Sequence, residues 1–224
     1  MLGPMSTLGS CRYRRGFTLV ETLVVVALAA VILALAAPSL YDLILVQRLK
    51  GINAQLVTDL QFGRSEAVSR NRLMRFAFDS TAEMSCYSIY ILKPLGNTAS
   101  RCDCTRAPGT ACTASDTTEV RTVQVPASQG IRILTRKDID TAQSAGCATS
   151  ANTSFDPAFA FDHITGGLYA IPKDQPSAPM GEFVLCATIA ADAQTAPRAL
   201  RTAISPAGRP TVCQTRPNLG ATPC

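Results

Sequence analysis

The sequence has no tryptophan and a single histidine, His163, in 224 residues. With a single imidazole available to any mixed cysteine–histidine zinc set, the closely spaced Cys102, Cys104 and Cys112 are read as thiols bound for disulfides in preference to a metal site. No Gly-x-Ser-x-Gly elbow and no glycine-rich phosphate loop occur, which leaves neither a hydrolase nucleophile nor an ATP cradle. Asp162 beside His163 is then a polar pair at a turn. Neither a cofactor nor enzymatic activity is expected. The absence of long repeats excludes a solenoid. Acidic residues are missing from both ends, for none precedes Glu21 and none follows Asp192. Aromatic residues stop at Phe183, which removes base stacking as a means for the tail to hold single-stranded nucleic acid.

What is present begins at residues 12–21, RYRRGFTLVE, and continues into LVVVALAAVILALAAPSL, residues 23–40, where Ser39 has the only polar side chain. A helix of roughly 17 to 25 apolar residues crosses a hydrocarbon core. Residues 17–40 therefore read as a transmembrane segment. A secretory signal has its cleavage site after the apolar stretch. Here the candidate processing point, Gly16, precedes it, directly behind Arg12, Arg14 and Arg15, which the positive-inside rule holds in the cytoplasm. Cleavage there keeps the helix on the mature chain and frees an amine at Phe17, four residues from Glu21. A carboxylate in an apolar layer is costly and calls for a partner. The amine of an identical neighbouring helix is such a partner, which makes Glu21 an assembly group.

Gly16-Phe17-Thr18-Leu19-Val20-Glu21 resembles the motif of type IV pilin precursors. The resemblance implies cleavage after Gly16 by a prepilin peptidase, N-methylation of Phe17, and assembly through Glu21. Removing the leader, residues 1–16, takes away three arginines and leaves 18 basic against 16 acidic side chains. Net charge is then a weak argument for a nucleic-acid partner. Of nine cysteines, Cys11 belongs to the leader. The other eight, Cys86, Cys102, Cys104, Cys112, Cys147, Cys186, Cys213 and Cys224, are an even set suited to an oxidising compartment, with 105 possible pairings.

Pro38 is expected to bend the helix. Beyond it Leu45, Leu49, Ile52, Leu56, Leu60, Gly63 and Ala67 recur at helical spacing, which predicts an amphipathic continuation to about Ser69. Arg48, Asn53, Gln55, Asp59 and Arg64 are expected on its opposite side. Strands are predicted over 73–78, 87–92, 119–125, 131–134, 159–161, 167–171, 183–189 and 200–204, between turn-forming clusters. Two cysteine-bearing loops, 94–115 and 140–154, are read as surface decoration stapled by disulfides, with a contact surface for neighbouring subunits as the alternative. The fold class is α+β and pilin-like: a long N-terminal helix, half membrane-bound and half amphipathic, packed on one antiparallel sheet. The expected organisation is a leader over 1–16, a transmembrane assembly helix over 17–40, and over 41–224 an amphipathic helix leading into a periplasmic β-rich domain.

Residues 63–71 (GRSEAVSRN), with Ala37-Pro38-Ser39 and Gln47-Arg48-Leu49-Lys50, resemble the FimT/GspH group of minor pilins and pseudopilins. The likeness is strongest over residues 16–78, and the cysteine-rich loops look like insertions. It implies a single-pass inner-membrane subunit, N-terminus cytoplasmic, that joins major and minor pilins at an inner-membrane assembly platform. The first expectation is a minor pilin of a type IV pilus; the alternative is a GspH-like pseudopilin of type II secretion. FimT-like pilins are implicated in DNA uptake through a C-terminal Gly-Arg-x-Arg pattern. This chain has Gly208-Arg209-Pro210-Thr211, without the second arginine. Double-stranded DNA is accordingly the further expected partner, held by Arg198, Arg201, Arg209 and Arg216 on a cationic, partly mobile tail. Arg64, Arg70, Arg72 and Arg75, near the end of the helix, are assigned a structural duty at its negative pole.

Overall fold

The structure is a computed structural model that describes residues 17–93, 100–135, 158–171, 178–179, 181–190, 198–217 and 219–224. Gly16 with the rest of the leader, Cys147, and the loop expected over 140–154 lie outside the described residues. The chain divides into two compact units, Met1–Asp42 and Leu43–Cys224, and one helix, α1 (Leu19–Arg70), contributes to both.

In the first unit α1 is started by Thr18, whose Oγ1 accepts the Glu21 backbone N–H at 3.3 Å. Thr18-x-x-Glu21 is the spacing of a capping box, and an acid in the first turn also suits the positive end of the helix dipole. α1 continues through Pro38. Its large apolar side chains here, Leu23, Val24, Leu28, Ile32, Leu33 and Leu35 among them, are all exposed.

In the second unit the same helix buries Leu45, Leu49, Leu56, Leu60 and Ala67, as their spacing predicts. Asn53 and Asp59, expected on the solvent side, are buried as well. Each has a built-in partner that removes the penalty of burial. Thr202 Oγ1 donates to Asn53 Oδ1 at 3.0 Å. Asp59 accepts from the Tyr87 hydroxyl and from Arg121 Nη1, each at 2.6 Å. Burial, then the hydrogen bond to Asp59, pushes the Tyr87 hydroxyl far above its ordinary range. α1 stops where Asn71 turns left-handed (φ 51°) and the Arg72 N–H reaches back to the Ala67 carbonyl at 3.1 Å.

The strands are β1 (Met74–Ser80), β2 (Met84–Leu92), β3 (Thr117–Pro126), β4 (Ile131–Leu134), β5 (Ala158–Phe161), β6 (Leu168–Ala170), β7 (Ala178–Pro179), β8 (Phe183–Ile189), β9 (Ala199–Ile204), β10 (Pro210–Gln214) and β11 (Thr222–Pro223). They form two sheets, ordered β3-β2-β1-β5-β6-β7 and β11-β10-β9-β8-β4, where one sheet was expected. All paired strands are antiparallel except β10 and β11. The eight expected strands are present. β7, β10 and β11 were not anticipated, because proline sits in each and marks strand starts and edges less legibly than strand centres.

Both sheets share one core with residues 43–70 of α1. Phe76 of β1 stacks on Phe159 of β5 at 5.0 Å, and Phe159 meets Phe183 of β8 at 4.7 Å, so the ring cluster crosses from one sheet to the other. Gly63 lets the helix approach this cluster: a Cβ there would sit 2.5 Å from the Phe76 ring.

The outer face of the first sheet is also covered. Ala77, Tyr90 and Ala158 on that face pack with Cys102, Ala111 and Cys112 of the loop expected to be decoration. The expected disulfide stapling is present, but the described part of the loop, residues 100–115, is more than decoration: it is a lid with a small core of its own. The Cys86–Cys104 and Cys102–Cys112 disulfides pin it. Gln124 Nε2 donates to the Cys104 and Arg106 carbonyls, both at 2.8 Å. Glu119 accepts the N–H groups of Gly109 and Ala111 at 2.8 and 2.9 Å. Burial pushes the Glu119 carboxyl up, but its hydrogen bonds from Thr122 and from the backbone of Gly109, Ala111 and Cys112 outweigh that and hold it below the usual range.

Candidate functional site

Two sets of residues carry the functional expectations, the head of α1 and the arginines of the C-terminal region. At the head, Phe17 is 77% exposed and Glu21 is exposed one turn into the helix. Thr18 is a residue that the sequence argument passed over, although Thr-x-x-Glu was the signal for it. It holds the first turn closed, so that Glu21 has a fixed place on the helix. From Leu19 to Leu35 the apolar side chains of described residues form a continuous exposed surface. An 18-residue window within α1 has a mean hydropathy of 2.7, long and apolar enough to cross a membrane.

The C-terminal arginines do not form one cluster. The described part of the C-terminal tail, residues 198–217 and 219–224, carries β9, β10 and β11 and is closed by the Cys213–Cys224 disulfide. Leu219, just before its end, is buried in the main core. Arg198 is half-buried and has a partner of its own. Arg201 sits in the middle of β9 opposite Cys186 and Cys213, half-buried, with Nη2 3.8 Å from Glu182 Oε1. Arg209 and Arg216 are exposed.

Arg209 follows a turn whose geometry explains the preceding glycine. Gly208 has φ 73°, and a Cβ there would lie 2.1 Å from the Gly166 carbonyl oxygen. Gly166, on the β5–β6 turn, is itself left-handed at φ 66°. Arg64 joins the two turns: its Nε donates to Gly166 O at 3.1 Å, and its side chain lies against both glycines. The β5–β6 turn is further shaped by Asp162, whose Oδ2 accepts from Ile164 N, Thr165 N and Thr165 Oγ1. His163 Nδ1 lies 3.4 Å from the other oxygen, Oδ1. Around these turns is an open groove of about 810 Å³, lined by Arg64, Val68, Ile164, Arg209 and Pro210 among others.

Of the other helix-end arginines, Arg70 pairs with Glu66 one turn earlier and Arg75 is buried within β1. Among the cysteines, Cys86 pairs with Cys104, Cys102 with Cys112 and Cys213 with Cys224, and Cys186 is disulfide-bonded too. Among the described residues, no group of three or more histidine, cysteine, aspartate or glutamate side chains is placed to hold a metal ion.

Comparison with known proteins agrees with this division of labour. Residues 11–37 match the family described as "Prokaryotic N-terminal methylation motif", and residues 53–208 match "Type II transport protein GspH". No curated protein and no solved structure matches the chain. The first match covers Gly16 and the exposed half of α1, and the second covers most of the folded unit. The fold, one long N-terminal helix with two largely antiparallel sheets, is α+β and pilin-like. The chain belongs to the GspH family, and with its N-terminal methylation motif it is a FimT/GspH-like minor pilin or pseudopilin.

Proposed function

We propose that the protein is a minor pilin of a type IV pilus. In this reading it is made as a single-pass inner-membrane precursor, cleaved after Gly16 by a prepilin peptidase, methylated at Phe17, and passed by the assembly platform into a filament of other pilins. The observation that carries the proposal is the bare apolar half of α1 with one carboxylate near its head. A helix apolar on all sides requires lipid or other helices around it, and Glu21 in that layer requires a cation. The Phe17 amine of a neighbouring subunit meets that need.

The test is Glu21→Ala in the producing cell. Mature mass should show normal cleavage after Gly16, while recovery of the variant in sheared filaments falls at least about tenfold, as expected for loss of a charge pair in an apolar layer. Normal recovery would sink the proposal.

A second reading, a pseudopilin of type II secretion, is favoured by the description of the family that matches residues 53–208. Deleting the gene separates the two, through loss of surface pili in the one case and retention of an exported protein in the cell in the other. A DNA-uptake role has narrower support, namely the exposed Arg209 and Arg216 on a region without acidic side chains after Asp192. Arg201, tied to Glu182, adds little to it. Binding of duplex DNA that weakens steeply with salt, and is lost in Arg209→Ala/Arg216→Ala, would support that role.

A further inference from the structure

The groove beside Arg64 and Arg209 has chemistry that the assembly helix does not use. Arg209 is exposed and has no ion pair with any described residue, and Arg64 spends its Nε on a backbone carbonyl. Among the described residues no acidic side chain lines the groove, whereas Val68 and Ile164 expose apolar surface to it, Ile164 being 75% exposed. Such a site suits a short segment that carries carboxylates on a small, compact backbone.

The same unit presents such a segment elsewhere. The β1–β2 turn carries Asp79 and Glu83, both exposed, around Ser80, Thr81 and Ala82. The turn is preformed: Thr81 Oγ1 accepts the N–H groups of Glu83 and Met84 at 3.3 and 3.2 Å, and Thr81 N–H bonds Met84 O at 2.8 Å. Arg132 nearby donates to the Ala82 carbonyl, serving the turn's backbone.

The turn and the groove lie at opposite ends of the folded unit. The turn is tied through Glu83 O to Ala127, and the adjacent Gln129 carbonyl is bonded by Arg48 of α1. The groove is lined by α1 residues from Gln61 to Ser69. Arg48 and Arg64 are separated by about 24 Å along the helix at 1.5 Å per residue. A subunit therefore cannot fill its own groove with its own turn.

We infer that the groove receives the Asp79–Glu83 turn of a second copy of this chain, head to tail. A contact between two different surfaces does not close into a dimer; it repeats along a line. It rests on the proposed role as an assembling subunit but uses a surface apart from the apolar helix. Arg209 and Arg64 steer the carboxylates, and Ile164 and Val68 supply the apolar contact.

The test places a photo-activatable cross-linking residue at Ile164 in the full mature chain in its membrane, with two differently tagged copies. The expected product joins both tags and contains the peptide with Asp79 and Glu83. Arg209→Glu should cut its yield about fivefold and Glu83→Arg by a similar factor, with the double variant recovering most of it, as for a charge swap across an interface. The Arg209 side chain has no ion pair with any described residue, so unchanged thermal unfolding of Arg209→Glu certifies the fold. Cross-links only to other proteins or to nucleic acid, or a yield indifferent to both charges, would overturn the inference. If copies associate through α1 without a cross-link to the turn, or do not associate with one another at all, this contact falls; the assembly proposal falls separately, by normal recovery of Glu21→Ala in sheared filaments.

Discussion

The two stretches of α1 are built from similar residues and meet opposite fates. Leu28, Ile32, Leu33 and Leu35 are each at least 59% exposed, whereas Leu45, Leu49, Leu56 and Leu60 are at most 5% exposed. Leucine content does not separate them. Arrangement does: residues 23–37 are apolar in every direction, and residues 45–70 confine their leucines to one face with polar residues between. A one-faced helix is satisfied by the chain's own sheets, while an all-round apolar helix is completed only by what surrounds the molecule. The difference teaches which part of the sequence encodes a fold and which encodes a destination.

The sharpest way to break the comparison is to truncate a leucine in each half. Leu56→Ala should lower the stability of the folded unit by about 2–5 kcal/mol, the range for a buried leucine that leaves a cavity, while Leu28→Ala leaves its thermal unfolding unchanged. Equal effects from the two would erase the distinction. Next in size is Gly63→Ala. Its methyl would collide with the Phe76 ring, and overpacking of that kind costs about 1–3 kcal/mol; denaturant unfolding reads it directly.

Acid should also act on the folded unit, more gradually. Glu119 and Asp162 are both held below their ordinary values of 4.5 and 3.8. At Asp162, burial raises the carboxyl, but hydrogen bonds from Thr165 and Ile164, together with the charge of His163, prevail. A lowered folded pKa means that the contribution is complete above the unfolded value and is lost as pH falls through the folded one. Loss of β-sheet signal should therefore begin below about pH 4.5 and deepen with further acid, less so in Glu119→Gln. The smallest effect belongs to the other half: Thr18→Ala removes a cap worth about 0.5–2 kcal/mol. Hydrogen exchange should quicken in the first turn, with the folded unit untouched.

Much of this was legible from spacing. The leucine stripe, the eight central strands, and the order of arginines, glycine and apolar run each have a period or a polarity that one chain displays. What escaped was long-range pairing. Nothing local marks Asn53 or Asp59 as buried, because the partners that make burial tolerable, Thr202 and Tyr87, lie 149 and 28 residues away. Arg75 alternates with apolar neighbours as a solvent-facing strand residue would, yet it is 2% exposed. The arginines of the C-terminal region looked alike in sequence. The register of β9 separates them, placing Arg201 at a strand centre and leaving Arg209 at a glycine turn.

The lid over the first sheet has a consequence for how such a protein changes by descent. Because Cys102, Ala111 and Cys112 shelter Ala77, Tyr90 and Ala158, those strand positions are released from the alternation that water would impose. The loop and the face beneath it form one heritable module. A relative that has shed the loop should carry polar residues at the positions of Ala77 and Ala158, and a relative that retains it should vary both sides together.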